Sequence, residues 1–216
     1  MTSASISGKS KWIIRGLYLV TDRELCLNHS LEDIINFSIK GGVSVVQLRE
    51  KKSTTSEFLQ IALNTKRQLI NTNVPLIIND RVDIALASRA DGVHLGQSDM
   101  PVAEARKILG PDAIIGLSVE TWEDIYNLPD LSLIDYIGVS PIFATPTKSD
   151  TKGEWGLDGL KKIRAKIGIP LVAIGGINAT NASSVIEAGA DSLAVVSYLC
   201  SAKDPETEAK KIKRLF

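Results

Sequence analysis

The sequence predicts an α/β protein folded as a single (β/α)8 TIM barrel, and three observations carry that prediction. Short runs rich in Val, Ile and Leu recur eight times, each followed by a segment with helical spacing of its apolar residues. No hairpin dipeptide joins one run to the next, so successive strands lie parallel and connect through helices. The third is economy: 216 residues hold eight such units only if the connections are lean, near the lower bound of roughly 200 residues for a barrel. A doubly wound open sheet is the rival arrangement of the same rhythm.

The rhythm begins at Gly16. Leu17–Val20 reads as a strand ending on Thr21-Asp22-Arg23, and Leu31–Lys40 as a helix stopped by Gly41-Gly42. Val43–Leu48 is the second strand. A long helix runs from Ser56 to Ile70, capped by Thr54 or Thr55. Pro75–Ile78 is a strand ending on Asn79-Asp80, a helical piece follows from Val82, and Gly92–Leu95 is a strand that empties into Gly96-Gln97-Ser98-Asp99. Pro101–Leu109 is a helix with Pro near its first turn and Gly110 past its end. Ile114–Leu117 is a strand ending in Ser118. Thr121 caps a short helix, Thr121–Asn127, with Glu123 and Asp124 in the favourable first turn. Tyr136–Val139 is a strand, and the longest irregular stretch follows it, from Ser140 to Gly156. The remainder reads as helix Leu157–Ile167, strand Leu171–Ile174, helix Ala182–Ala188, strand Leu193–Val196 and a terminal helix Pro205–Phe216.

Composition narrows the function classes. Hydrophobic content of 44% and charged content of 23% belong to an ordinary globular domain. Basic and acidic residues balance at 25 each, so no general field draws nucleic acid or an anionic membrane. No apolar run approaches the ~20 residues of a membrane span. Residues 1–14 read as a polar leader without the apolar core of a signal peptide, and 15–216 as the barrel domain. Gly8-Lys9-Ser10 resembles the end of a P-loop, but Ser3 stands at the first glycine position and no strand precedes it. Cys26 and Cys200 stand far apart in sequence, which argues against a disulfide framework and points to a reducing cytoplasm. The sequence is compatible with a homo-oligomer and assigns no interface.

In a barrel, chemistry sits where strands end and βα loops begin. Asp80 and Asp99 close two neighbouring parallel strands, and paired carboxylates at a rim suit Mg²⁺, which keeps waters and prefers a phosphate-bearing substrate. The alternative is that Asp80 caps the next helix and Asp99 sits in a turn before Pro101. In VSVVQLREK, period-two alternation puts Val45, Gln47, Arg49 and Lys51 on one face. Two inward cations there call for an anion, unless the strand end is merely solvated. Gly175-Gly176 after the seventh strand, with Val196-Ser197 closing the eighth, could bring backbone N–H groups to a phosphate or could serve a tight turn. Thr145-Pro146-Thr147-Lys148, in the one long loop, offers hydroxyls and an ammonium to a pyrophosphate. His94, inside a strand, is assigned to packing.

With these residues assembled, the chain resembles the thiamine-phosphate synthase family. The shared signatures are LYLVTD (17–22), VQLREK (46–51), IIND (77–80), GVHLGQSD (92–99), IGLSV (115–119), PIFATPTK (141–148), AIGGI (173–177) and AVVS (194–197). They fall in order over about residues 16–200. The resemblance implies an enzyme joining 4-amino-5-hydroxymethyl-2-methylpyrimidine diphosphate to 4-methyl-5-(2-phosphoethyl)thiazole, with thiamine phosphate and pyrophosphate as products. It further implies that Gln47, Arg49, Lys51 and Asn79 hold the pyrimidine diphosphate and that Asp80 and Asp99 bind Mg²⁺. Ser118 and Lys148 would also serve the diphosphate, so the implied catalytic set is Arg49, Lys51, Ser118 and Lys148. Thr145, Thr147, Gly176 and the Val196-Ser197 backbone would take the thiazole phosphate. The implied mechanism is dissociative. One departure is Glu120, where the family commonly carries His.

Overall fold

The computed structural model describes residues 13–145 and 153–216. Its eight parallel strands close into a barrel in chain order, with the last pairing the first. Closure excludes the open-sheet rival. The strands are β1 (Gly16–Val20), β2 (Val43–Leu48), β3 (Leu76–Asn79), β4 (Gly92–Leu95), β5 (Ile114–Val119), β6 (Tyr136–Val139), β7 (Leu171–Ile174) and β8 (Ser192–Val195). The helices around them are α1 (Leu31–Lys40), α2 (Thr55–Leu69), α3 (Val82–Ser88), α4 (Val102–Leu109), α5 (Trp122–Tyr126), α6 (Gly156–Arg164), α7 (Ala182–Glu187), α8 (Ser197–Cys200) and α9 (Pro205–Lys213).

Local chemistry starts the helices where the sequence expects. Thr54 caps α2 in a reciprocal capping box with Glu57, and Thr121 caps α5 in another with Asp124. Two boundaries differ from expectation with consequences for the site. β5 continues through Val119, because Ser118 and Val119 still pair with Gly138 and Val139 of β6. β8 stops at Val195, and Val196 leads directly into α8, a single turn that no sequence signal announced.

Side chains alternate between the lumen and the helix shell. Tyr18, Val20, Val45, Ile77, Ile114, Tyr136, Val172 and Ala194 fill the lumen, and Ile14 joins them. Their neighbours in sequence, among them Leu17, Leu19, Val46, Ile78, Ile115 and Leu193, pack outward in the larger core beneath the helices. Two inward positions carry glycine for want of space. A Cβ on Gly116 would lie 2.1 Å from the Tyr136 ring, and one on Gly138 2.9 Å from His94 Cε1.

At the N-terminal end of the barrel one device recurs three times. Asp91, Asp135 and Asp191 stand just before β4, β6 and β8. Each donates its backbone N–H to the first carbonyl region of the preceding strand, at Leu76, Ile115 and Leu171, and its carboxylate accepts the N–H of that same residue at 2.8–2.9 Å. A basic side chain from the helix that precedes the clamped strand completes each clamp: Lys66 of α2 at 2.6 Å, Arg106 of α4 at 2.8 Å and Arg164 of α6 at 2.8 Å. Ordinary ladder bonds end where strands end, and the carboxylates carry the pairing one residue further.

Candidate active site

The C-terminal ends of the strands open into one cavity of about 1090 Å³. Every described residue expected at the site lines it: Gln47, Arg49, Lys51, Asn79, Asp80, Asp99, Ser118, Thr145, Gly176, Val196 and Ser197. Glu120 lines it as well. Thr147 and Lys148 lie outside the described residues.

The alternation read in VSVVQLREK holds. Gln47, Arg49 and Lys51 face the cavity, while Glu50 points the other way and pairs with Arg23 at 2.9 Å. Arg49 is aimed by the end of β1. Its backbone N–H donates to Thr21 Oγ1 at 3.1 Å, and its guanidinium donates to Asp22 Oδ2 at 3.0 Å. Holding the guanidinium by one nitrogen leaves the rest of its donor fork for a ligand. Lys51 Nζ meets Asp80 Oδ2 at 2.5 Å.

Asp80 adopts a left-handed backbone, φ 63°, and its N–H donates to the His94 carbonyl at 2.8 Å. Such a conformation at a non-glycine residue costs on the order of 1 kcal/mol or more, and such strain concentrates at functional sites. It also removes Asp80 from the capping role: the residue at the N-cap of α3 is Arg81, and no side chain caps that helix. Asp99 Oδ2 accepts the Gly96 N–H at 2.7 Å. Partial burial raises the Asp99 pKa first, and the Asp80 carboxylate on the same cavity adds to the rise. Among the described residues no three His, Cys, Asp or Glu side chains converge on one point. Two carboxylates beside an open cavity are the oxygen donor set that fits Mg²⁺, which takes one or two carboxylates and completes its shell with water and phosphate oxygens.

The glycine turn after β7 has a reason the sequence did not disclose. Gly175 and Gly176 have φ of +104° and +65°, and the start of the long loop lies directly on them. A Cβ on Gly175 would come within 2.6 Å of Pro141 Cβ, and one on Gly176 within 2.8 Å of the Ala144 carbonyl. Ile142 and Phe143 donate their N–H groups to Ile174 and Gly175. At the far end of the loop, Trp155 returns to the rim through its indole N–H on the Ser140 carbonyl and its backbone N–H on Pro141. Both feet of the segment that bears Thr147 and Lys148 are thus fixed at the cavity edge.

Three residues given no functional weight in the sequence form the cavity floor. Tyr18, His94 and Tyr136 line it, with His94 stacked on Tyr136 at 5.4 Å between ring centroids. His94 is a hydrogen-bonded residue, as expected, but it faces the site. Lumen parity carries the signal: His94 shares a face with Gly92 in β4, and Tyr18 with Val20 in β1. The two cysteines, far apart in sequence, are both free and lie beside this site's first strand. Cys26 Sγ donates to the Asp22 carbonyl at 3.3 Å and Cys200 Sγ to the Val20 carbonyl at 3.8 Å. The contact between the free thiols lowers the Cys26 pKa and raises that of Cys200.

Fold and rim together define a (β/α)8-barrel enzyme with its site at the C-terminal ends of the strands. Residues 17–199 match the family model described as thiamine monophosphate synthase. A protein named thiamine-phosphate synthase from Leptospira biflexa is 56% identical over 207 residues, covering 94% of this chain and 98% of the relative. One of the same name from Albidiferax ferrireducens is 54% identical, covering 93% and 91%. The solved structure of a thiamine phosphate pyrophosphorylase from Pyrococcus furiosus superposes with a TM-score of 0.83 at 35% identity, covering 93% of this chain and 94% of the other. The chain belongs to the thiamine monophosphate synthase family. A 3-hexulose-6-phosphate synthase structure, at TM-score 0.68 and 17% identity, shares the fold alone.

Proposed function

We infer that this chain joins 4-amino-5-hydroxymethyl-2-methylpyrimidine diphosphate to 4-methyl-5-(2-phosphoethyl)thiazole, forming thiamine phosphate and releasing pyrophosphate. The observation that carries the reading is the content of one cavity: the cationic face of β2, the Asp80–Asp99 pair and the glycine turn after β7 open into the same space. A diphosphate, its counter-ion and a second phosphate have complementary partners there.

Arg49 and Lys51 take diphosphate oxygens, Arg49 through the part of its fork that Asp22 leaves open. Asn79 and Ser118 flank the leaving group, and Gln47, deeper in the lumen, meets the pyrimidine ring. Thr145, Gly176 and the Val196-Ser197 backbone receive the thiazole phosphate. By the sequence match alone, Thr147 joins the thiazole phosphate site and Lys148 the diphosphate site. Asp80 and Asp99 would hold Mg²⁺, which when bound neutralises charge on the diphosphate and so favours its departure.

In the proposed dissociative course, the C–O bond to pyrophosphate breaks, the aminopyrimidine delocalises the methylene cation, and the thiazole nitrogen captures it. Arg49 and Lys51 stabilise the charge that grows on the leaving oxygens, in a site whose donors are already oriented. The barrel aligns the two rings, which supplies the proximity term. The nucleophile is a ring nitrogen without a proton to lose, so no general base is needed. The proposed compartment is the reducing cytoplasm, on the sequence grounds above. Among the described residues no helix is long and apolar enough to cross a membrane.

The test is pyrophosphate release from the purified protein mixed with both substrates, with Mg²⁺ and with EDTA. Release that needs both substrates and Mg²⁺, matched by thiamine phosphate, is expected. Release without the thiazole would make the chain a hydrolase. No release by folded protein would overturn the synthase reading.

A further inference from the structure

Five lumen side chains on five strands form one continuous chain of hydrogen bonds. Gln47 Nε2 donates to the Tyr18 hydroxyl at 2.9 Å. The Tyr18 and Tyr136 hydroxyls are 2.8 Å apart, Tyr136 meets His94 Nδ1 at 2.9 Å, and His94 Nε2 meets Ser118 Oγ at 2.7 Å. The two ends, Gln47 and Ser118, are both proposed pyrimidine or diphosphate contacts.

Counting protons gives the chain a direction. Each phenol has one proton to donate. Burial raises the pKa of both phenols, so both keep that proton. Tyr18 already accepts from Gln47. If Tyr136 donated to Tyr18, the Tyr18 proton would be left without an acceptor among its hydrogen-bond partners, at a residue 1% exposed. An orphaned buried donor is the arrangement folded proteins avoid. The opposite direction leaves none: Gln47 donates to Tyr18, Tyr18 to Tyr136, Tyr136 to His94 Nδ1, and His94 Nε2–H to Ser118. His94 is then neutral, with its proton on Nε2. Ser118 accepts from it, so the hydroxyl proton of Ser118 turns to the cavity. Gln47, with its amide nitrogen committed to Tyr18, turns its carbonyl oxygen to the same cavity.

We propose that Tyr136 and His94 are positioning residues that fix the hydrogen-bond polarity at both ends of this chain, presenting an acceptor at Gln47 to the pyrimidine ring and a donor at Ser118 to the diphosphate. The Gln47 acceptor complements the N–H of a 4-aminopyrimidine and opposes the carbonyl of a 4-oxopyrimidine, while the Ser118 donor complements a diphosphate oxygen. The inference rests on the pyrimidine assignment above and adds how the site selects among pyrimidines.

Two measurements test it. Nitrogen-15 NMR of histidine-labelled wild-type protein, with His94 assigned by difference from His29→Gln, reads the tautomer directly. A bare Nδ1 and protonated Nε2 are expected; the reverse tautomer or an imidazolium would overturn the proposal, whatever the variants do. Tyr136→Phe removes both the acceptor of the Tyr18 proton and the donor to Nδ1, which frees the Gln47 amide and the Ser118 hydroxyl to turn over. The preference in kcat/KM for the 4-amino diphosphate over its 4-oxo counterpart is expected to fall about tenfold, a donor–acceptor mismatch, mostly through KM for the pyrimidine. KM for the thiazole phosphate stays unchanged. A lowered kcat with the preference intact would make Tyr136 merely structural and overturn the relay, while effects of Gln47→Leu and Ser118→Ala on pyrimidine KM would keep the site reading. If those two variants leave pyrimidine KM unchanged in active enzyme, the pyrimidine assignment fails and the relay with it.

Discussion

Asp135→Ala separates the two ends of the barrel. Asp135 Oδ2 accepts the Ile115 N–H at 2.8 Å and the Arg106 guanidinium at 2.8 Å. Ile115 is fully buried, so truncation leaves its N–H unpaired, at a cost of about 1–3 kcal/mol. Arg106 keeps its bonds to the carbonyls of Gly110, Pro111, Ala113 and Leu133. The ion pair is partly solvated, with side chains 15% and 21% exposed, so its loss adds only about 0.5 kcal/mol. The sum is about 1.5–3.5 kcal/mol, or about 3–14 °C in Tm for a chain of this size. Urea and thermal unfolding followed by circular dichroism measure it. Asp135 precedes β6 and therefore lies at the end opposite the cavity, where barrel residues serve stability. Synthase activity per folded molecule should match wild type. A Tm within about 1 °C of wild type together with a tenfold fall in kcat/KM would refute the reasoning.

Three further outcomes are expected. Mg²⁺ added with pyrophosphate should raise the Tm of wild type, by about 2.7 kcal/mol of stabilisation at a hundredfold excess over Kd; in Asp99→Asn the Mg²⁺-dependent part of the rise, read by differential scanning fluorimetry, should vanish. Arg49→Lys keeps the charge but gives up the fork that Asp22 orients, so KM for the pyrimidine diphosphate should rise about tenfold with that for the thiazole phosphate unmoved, in steady-state assays. Burial holds the phenols of Tyr18, Tyr136 and Tyr198 above the unfolded value of 10.0. The folded state then binds more protons than the unfolded state above that pH, so the stability they confer is complete below pH 10 and lost as pH rises beyond it. Their phenolate absorbance should appear together with unfolding; full tyrosine ionisation in a still-folded protein would refute it.

Much of this molecule was legible in the sequence because its signals are local. Helix caps such as Thr54 and Thr121 act within three residues, and period-two alternation placed Gln47, Arg49 and Lys51 on one face without any partner strand. The rule that barrel chemistry gathers at strand ends then selected the rim residues, and all of those described meet in one cavity. What escaped was non-local. Tyr18 and Tyr136 lie 118 positions apart and touch through their hydroxyls, and no window of sequence contains both. The Asp91, Asp135 and Asp191 clamps were missed for the same reason, since each closes on a strand some 15–20 residues upstream.

Order and periodicity of apolar residues determine that this chain makes eight parallel strand–helix units, because burial of one face of each element is a property of its own few residues. Closure of the sheet decides everything that depends on which strands become neighbours across the lumen. It puts His94 between Tyr136 and Ser118, and it sets Gly116 and Gly138 where any larger side chain would strike Tyr136 or His94. It also lays the long loop on Gly175 and Gly176 and brings Cys26 to Cys200. Those contacts arise from the barrel's curvature, which no segment of the chain encodes alone.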